Sequence, residues 1–188
     1  MRAVLVTIAV LAALAGCSSA VSGHAAGPRQ ELSCPTGAVT AQGAPFCYPL
    51  PAGFHDDTAQ AKPDGSWTYY TLVSVGQHDL IQAAAASIGV DTDTKNDAEL
   101  ATLADQQLLH PGQFKVVTAS ARTTLPVDRA RAFAQDAKYQ SGVGARQVVV
   151  YRGRTLVQIS CQYLDKQAVV QKACTDVLDN IQVVGLPH

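Results

Sequence analysis

Val148-Val-Val-Tyr151, Arg152-Gly153 and Arg154-Thr-Leu-Val-Gln-Ile159 read as two runs rich in β-branched residues joined by a two-residue turn, an antiparallel hairpin. Upstream, Ala130 to Tyr139 alternates imperfectly and supplies a neighbouring strand, connected through the Ser141-Gly142-Val143-Gly144 loop. Downstream, Asp165 stands where a helix N-cap belongs, and Val170, Ala173, Cys174, Val177, Leu178 and Ile181 follow at helical spacing. A strand meander closed by an amphipathic helix places the chain in the α+β class, with helices packed on an antiparallel sheet.

Working toward the N-terminus, Phe114 to Thr124 is expected as a strand and Pro126 as a turn. Asn96 with Glu99 three residues on forms a capping box, and Leu100, Leu103, Ala104 and Leu108 continue a helix that stops at His110-Pro111-Gly112. Leu80 to Val90 contains four consecutive alanines, which favour a helix on propensity, yet the run is short and interrupted by Gly89, so a strand is expected. Trp67 to Val75, after the Pro63-Asp64-Gly65 turn, is a strand rich in aromatic and β-branched residues. Phe46, Tyr48 and Leu50 alternate with Cys47 and Pro49 in a short edge-like strand, followed by a Pro51-Ala52-Gly53 turn. With no internal repeat and no second linker, residues 34–188 are expected to form one domain.

The chain has 188 residues, 47% apolar and 15% charged, enough for a real core and too apolar for disorder. Its 14 basic and 15 acidic side chains provide no overall field for nucleic acid, and a mean hydropathy of +0.07 excludes a multi-span protein. Arg2 and an apolar run to Ala15 have the length of a signal-peptide core, short of the roughly 20 residues of a membrane span. Leu14-Ala15-Gly16-Cys17 resembles the bacterial lipobox. That resemblance implies that residues 1–16 are a cleaved signal peptide and that Cys17 carries diacylglycerol. It also implies that the mature protein is lipid-anchored on the extracytoplasmic side of the cell membrane, or in a diderm envelope. A plain secretory signal with an Ala13 to Ala15 cleavage site is the alternative. Residues 17–33 are small, polar and aperiodic, a flexible tether reaching on the order of 20 to 25 Å from Cys17.

Of the five cysteines, Cys17 taken by lipid leaves Cys34, Cys47, Cys161 and Cys174 to pair in an oxidising compartment. Three pairings exist; Cys34–Cys47 and Cys161–Cys174 keep each bridge within one supersecondary unit, and each closed loop is worth roughly 3 kcal/mol. The spacing does not suit zinc, whose ligands come as closely spaced pairs, and the absence of C-x-x-C argues against redox catalysis.

The Leu50-Pro-Ala-Gly-Phe54 opening, the capped helix, the meander over Ala130–Tyr139, Gln147–Tyr151 and Thr155–Ser160, and the closing helix together resemble the PsbP-like fold. That fold is shared by the Ran-binding Mog proteins and the actinobacterial LpqN-type lipoproteins. The resemblance covers roughly residues 45–185. It implies an α/β/α sandwich and non-enzymatic roles in assembly, docking or envelope function, and it carries no catalytic residues.

Nothing in the chain forms a catalytic or cofactor motif. His24, His55, His78, His110 and His188 are scattered, and His55-Asp56-Asp57 has no distant partner ligand. Asp91, Asp93 and Asp97 superficially resemble a calcium loop but lack its turn glycine and its twelfth-position glutamate. No metal, cofactor or enzymatic activity is expected. Charge is segregated instead: residues 56–105 hold nine acids and two bases, residues 115–154 eight bases and two acids. Either the two segments pack together as surface ion pairs, or Arg122, Arg129, Arg131, Arg146, Arg152 and Arg154 form a basic face. The functional expectation is an accessory protein held to the membrane through Cys17 that docks an envelope protein, lipid or glycan. The alternatives are a small-molecule or glycolipid carrier with an apolar pocket and a hydrolase with a dispersed site.

Overall fold

The computed structural model describes residues 32–62, 67–108 and 115–186. The signal segment, Cys17, all of the tether except Leu32 and Ser33, the Pro63-Asp64-Gly65 turn, the His110-Pro111-Gly112 stop, Phe114, and His24, His110 and His188 lie outside them.

The strands are β1 (Ala38–Val39), β2 (Phe46–Pro49), β3 (His55–Asp56), β4 (Tyr69–Ser74), β5 (Leu80–Ser87), β6 (Val116–Ala119), β7 (Thr123–Val127), β8 (Ala130–Tyr139), β9 (Gly144–Arg152), β10 (Thr155–Tyr163) and β11 (Gln182–Val183). The helices are α1 (Asp97–Leu108) and α2 (Gln167–Asn180). The main sheet runs β3-β4-β5-β10-β9-β8-β6, with β7 also on the outer side of β8, and every pairing is antiparallel. A smaller sheet runs β1-β2-β11.

Period two divides the main sheet into two working faces. One carries Ile81, Ala83, Ala85, Val148, Val150, Val157 and Ile159, and meets Val170, Ala173 and Val177 of α2 together with Phe46, Tyr48 and Val183 of the small sheet. The opposite face carries Phe133, Val149, Tyr151 and Leu156 against Leu100, Ala104 and Leu108 of α1. The result is a layered helix, sheet, helix arrangement in which the alanine run of β5 is extended, as expected. Its small side chains stand between β4 and β10, where burial and pairing outweigh helix propensity.

The capping box forms as the sequence predicts. Asn96 Oδ1 accepts from the Glu99 N–H at 3.0 Å, and Glu99 Oε2 accepts from the Asn96 N–H at 3.0 Å. The bonds from the Asn96 backbone and the Lys95 ammonium lower the Glu99 pKa.

Five expectations are corrected. The strand at Phe46 is central rather than edge-like, because β1 and β11 pair with its two sides. The single strand expected over 114–124 is two, β6 and β7. Pro126 is not a turn: it lies inside β7 opposite Arg131, next to the Val127–Ala130 pair that closes the turn, so the alternation makes its own pair one that needs no N–H. The turn is Asp128-Arg129, with φ of 45° and 61°. The β9–β10 turn is Gly153-Arg154, since Arg152 pairs with Thr155 and Gly153, at φ 55°, takes the first central position.

The fifth correction concerns α2. Asp165 does not cap it, and no side chain at its own N-cap does. Asp79, from the turn between β4 and β5, accepts through Oδ1 from the N–H groups of Leu164, Asp165 and Lys166 at 3.1, 3.2 and 2.8 Å. Burial raises the pKa of this carboxyl, the three backbone bonds and Lys166 lower it, and the net result is a value below the ordinary one.

Candidate functional site

Cys34–Cys47 and Cys161–Cys174 are bridged, each with Cα atoms 5.9 Å apart, and the second bridge ties α2 to β10. Among the described residues no cluster of three or more His, Cys, Asp or Glu side chains is placed to hold a metal ion. His55 and His78 are exposed, and Asp91 and Asp93 serve the turn before α1: Asp91 accepts from the Asp93 N–H, and Asp93 Oδ1 from the Gly153 N–H.

The six arginines are not gathered on one face. Arg131 alternates with Phe133 and lies on the α1 side of the sheet, whereas Arg146 and Arg152 alternate with Val148 and Val150 on the α2 side. Arg129 is not on a strand at all: it occupies the β7–β8 turn, so it does not share the face of Arg131 by strand alternation. Arg122 pairs with Asp105, donates to the Ala101 carbonyl and lies 5.6 Å over the Phe133 ring. Arg131 donates to the carbonyls of Lys95 and Thr92 and faces Asp97 at 3.6 Å. Arg152 holds Asp128 and the Val183 carbonyl, fastening β11 to the main sheet. Arg146 faces Asp136 on the neighbouring strand at 3.9 Å. Two of these contacts, Arg122–Asp105 and Arg131–Asp97, join the acidic and basic segments directly.

Arg129 and Arg154 are exposed and enter no ion pair among the described residues. Their turns sit side by side at one end of the sheet, because Arg131 of β8 pairs with Tyr151 of β9. Beneath Arg129 opens a cleft of about 390 Å³ between the start of α1 and the β7–β8 hairpin, lined by Asp97, Thr124, Leu125, Pro126, Arg129 and Phe133 among others. Close by, the Tyr151 hydroxyl is buried without a hydrogen-bond partner among the described residues; burial first, and the negative charge of Asp105 second, push its pKa up to about 12.

A second feature went unread in the sequence. On the face that α1 shares, the sheet beyond α1 carries Tyr70, Leu72 and Ser74 of β4, Leu80, Gln82 and Ala84 of β5, and Gln158, Ser160 and Gln162 of β10. Gln147 Nε2 donates to Ser160 Oγ at 2.8 Å and to the Tyr139 hydroxyl at 3.1 Å, Gln162 Nε2 to Ser160 Oγ at 3.2 Å, and the Tyr70 hydroxyl to Gln82 Oε1 at 2.9 Å. The legible signal was alternation along 157–162, where Gln158, Ser160 and Gln162 interleave with Val157, Ile159 and Cys161.

An eight-stranded antiparallel sheet between α1 on one side and α2 with a small sheet on the other defines an α+β domain of the PsbP-like class. The solution structure of cyanobacterial PsbP (CyanoP) from Synechocystis sp. PCC 6803 is similar to it, with a TM-score of 0.55 at 10% identity, over 80% of this chain and 97% of that one. The crystal structure of LpqN, involved in cell envelope biogenesis in Mycobacterium tuberculosis, aligns at a TM-score of 0.45 and 14% identity, over 79% of this chain and 91% of that one. No protein-family model matches the chain, and no curated protein matches it in sequence. Among the described residues no helix is long and apolar enough to cross a membrane.

Proposed function

We propose that the chain is an extracytoplasmic accessory protein, lipid-anchored through Cys17, that docks an anionic group of an envelope partner and catalyses no reaction. The observation that carries this reading is the cleft under Arg129, where an exposed arginine stands beside Leu125 and Pro126 in the lining. An arginine with no ion-pair partner among the described residues, next to apolar area, suits a carboxylate or phosphate borne on a larger partner. The cleft is a surface groove rather than an enclosed chamber, which favours docking over the carrier alternative. The lipobox resemblance and the two bridges support an oxidising, membrane-proximal site of action.

The test places a photo-crosslinking amino acid at Thr124 in the full chain expressed in its own cells. Expected is one dominant adduct, reduced several-fold by Arg129→Glu and abolished by Cys17→Ala. An adduct pattern indifferent to Arg129→Glu overturns the docking site, and one indifferent to Cys17→Ala overturns the anchor.

A further inference from the structure

We propose that the open face of β4, β5 and β10 is a binding platform for a neutral oligosaccharide, separate from the Arg129 cleft. Among the described residues neither helix covers it: α1 packs on β8 and β9, and α2 lies on the opposite face. Opposite partners in the register align the side chains in rows across the strands. Leu72, Gln82, Ser160 and Gln147 form one row, Tyr70, Ala84 and Gln158 the next, and Ser74, Leu80 and Gln162 the third. Three strands at about 4.8 Å and five residues at about 3.3 Å make a surface of roughly 10 by 13 Å.

Its chemistry excludes the partners a sheet face ordinarily meets. A solvated sheet face usually carries lysine, arginine and glutamate; none of the residues in these three rows is charged. An anionic polymer would find no counter-charge here and would lose its hydration on contact. The polar groups of the rows are amides and hydroxyls, with the Asp57 carboxylate accepting from Ser74 Oγ at the rim, and each amide offers both donors and an acceptor, as vicinal sugar hydroxyls do. Side chain-to-side chain bonding, the least common kind in proteins, holds them in place: Gln147, 2% exposed, and Ser160, 1% exposed, form the fixed centre. Around that centre Gln82, Gln158 and Gln162 are half-buried. Among the described residues no partner takes the Gln82 amide N–H groups or the amide oxygens of Gln158 and Gln162. Groups held in advance lose little entropy on binding. Tyr70 stands in the second row with its hydroxyl on Gln82, and Trp67 packs against the hydrophobic cluster that α1 shares with the sheet.

The protein, purified with its lipid in lauryldimethylamine oxide, a detergent without a sugar headgroup, is titrated with mannotetraose, maltotetraose and chitotetraose, with dextran sulfate as the charged control. The readouts are calorimetry and the fluorescence of Trp67, the only tryptophan. Expected is binding of at least one neutral tetrasaccharide, weakened about tenfold by Gln158→Ala and by Gln82→Ala, each at unchanged unfolding midpoint, and unaffected by Arg129→Glu. The proposal is overturned if none of the three tetrasaccharides binds up to millimolar concentration, if dextran sulfate alone binds, or if both glutamine variants bind as the parent does. Loss of the Thr124 adduct in Arg129→Glu with sugar binding intact separates this platform from the docking cleft.

Discussion

Replacing Asp79 tests whether α2 is capped from across the fold. Asp79 is 2% exposed, and its carboxylate takes three backbone N–H groups, those of Leu164, Asp165 and Lys166. Losing an N-cap costs about 1 to 2 kcal/mol, and bonds to a charged acceptor are worth about 1.5 to 3 kcal/mol. Because these overlap, Asp79→Ala is expected to cost about 2 to 3 kcal/mol, and Asp79→Asn, which keeps one neutral acceptor, about 1 kcal/mol less. For a domain of this size the alanine variant lowers the melting temperature by roughly 4 to 12 °C. Urea unfolding under oxidising conditions measures it. The pH dependence has a definite sign: the folded-state pKa lies below that of the unfolded chain, so the contribution is complete above the unfolded value, about 3.9, and is lost as pH falls through the folded one. The gap between the parent and Asp79→Asn is therefore full at neutral pH and closes below about pH 4. An alanine variant within about 0.5 kcal/mol of the parent, or a gap that is the same at pH 7 and pH 3, refutes the cap.

Two further substitutions probe other parts of the scaffold. Arg131→Met removes the donor to the carbonyls of Lys95 and Thr92; it is expected to cost about 1 to 3 kcal/mol and to speed hydrogen exchange in residues 92–100, and exchange unchanged there would refute its role in seating α1. Tyr151→Phe removes a buried hydroxyl without a partner, so stability is expected to hold or to rise by about 1 kcal/mol in thermal unfolding, whereas a loss of that size would reveal a bond the structure lacks.

What could be read in advance was what is written locally. The capping box of α1 lies within four residues, and the β8–β10 meander announces itself through β-branched runs. The α2 cap was out of reach because its donors and its acceptor are more than eighty residues apart, while Asp165 offered a local and misleading substitute. Two-residue strands such as β1 and β11 are too short to show a period. The basic face failed for two physical reasons: Arg129 occupies a turn at φ 61°, and Arg131 turns its guanidinium onto backbone carbonyls. The glutamine rows were visible as alternation in one strand, but only the register of β4, β5 and β10 assembles them.

The first disulfide has a mechanical meaning. Any pull on the N-terminal side of the domain arrives at Cys34 and crosses the bridge to Cys47 in β2, bypassing the intervening loop and β1. The load then passes to β11, which antiparallel pairing holds against β2 and Arg152 fastens to the main sheet. Force is thereby delivered into the protein's interior, and the short N-terminal hairpin is spared from being peeled away strand by strand.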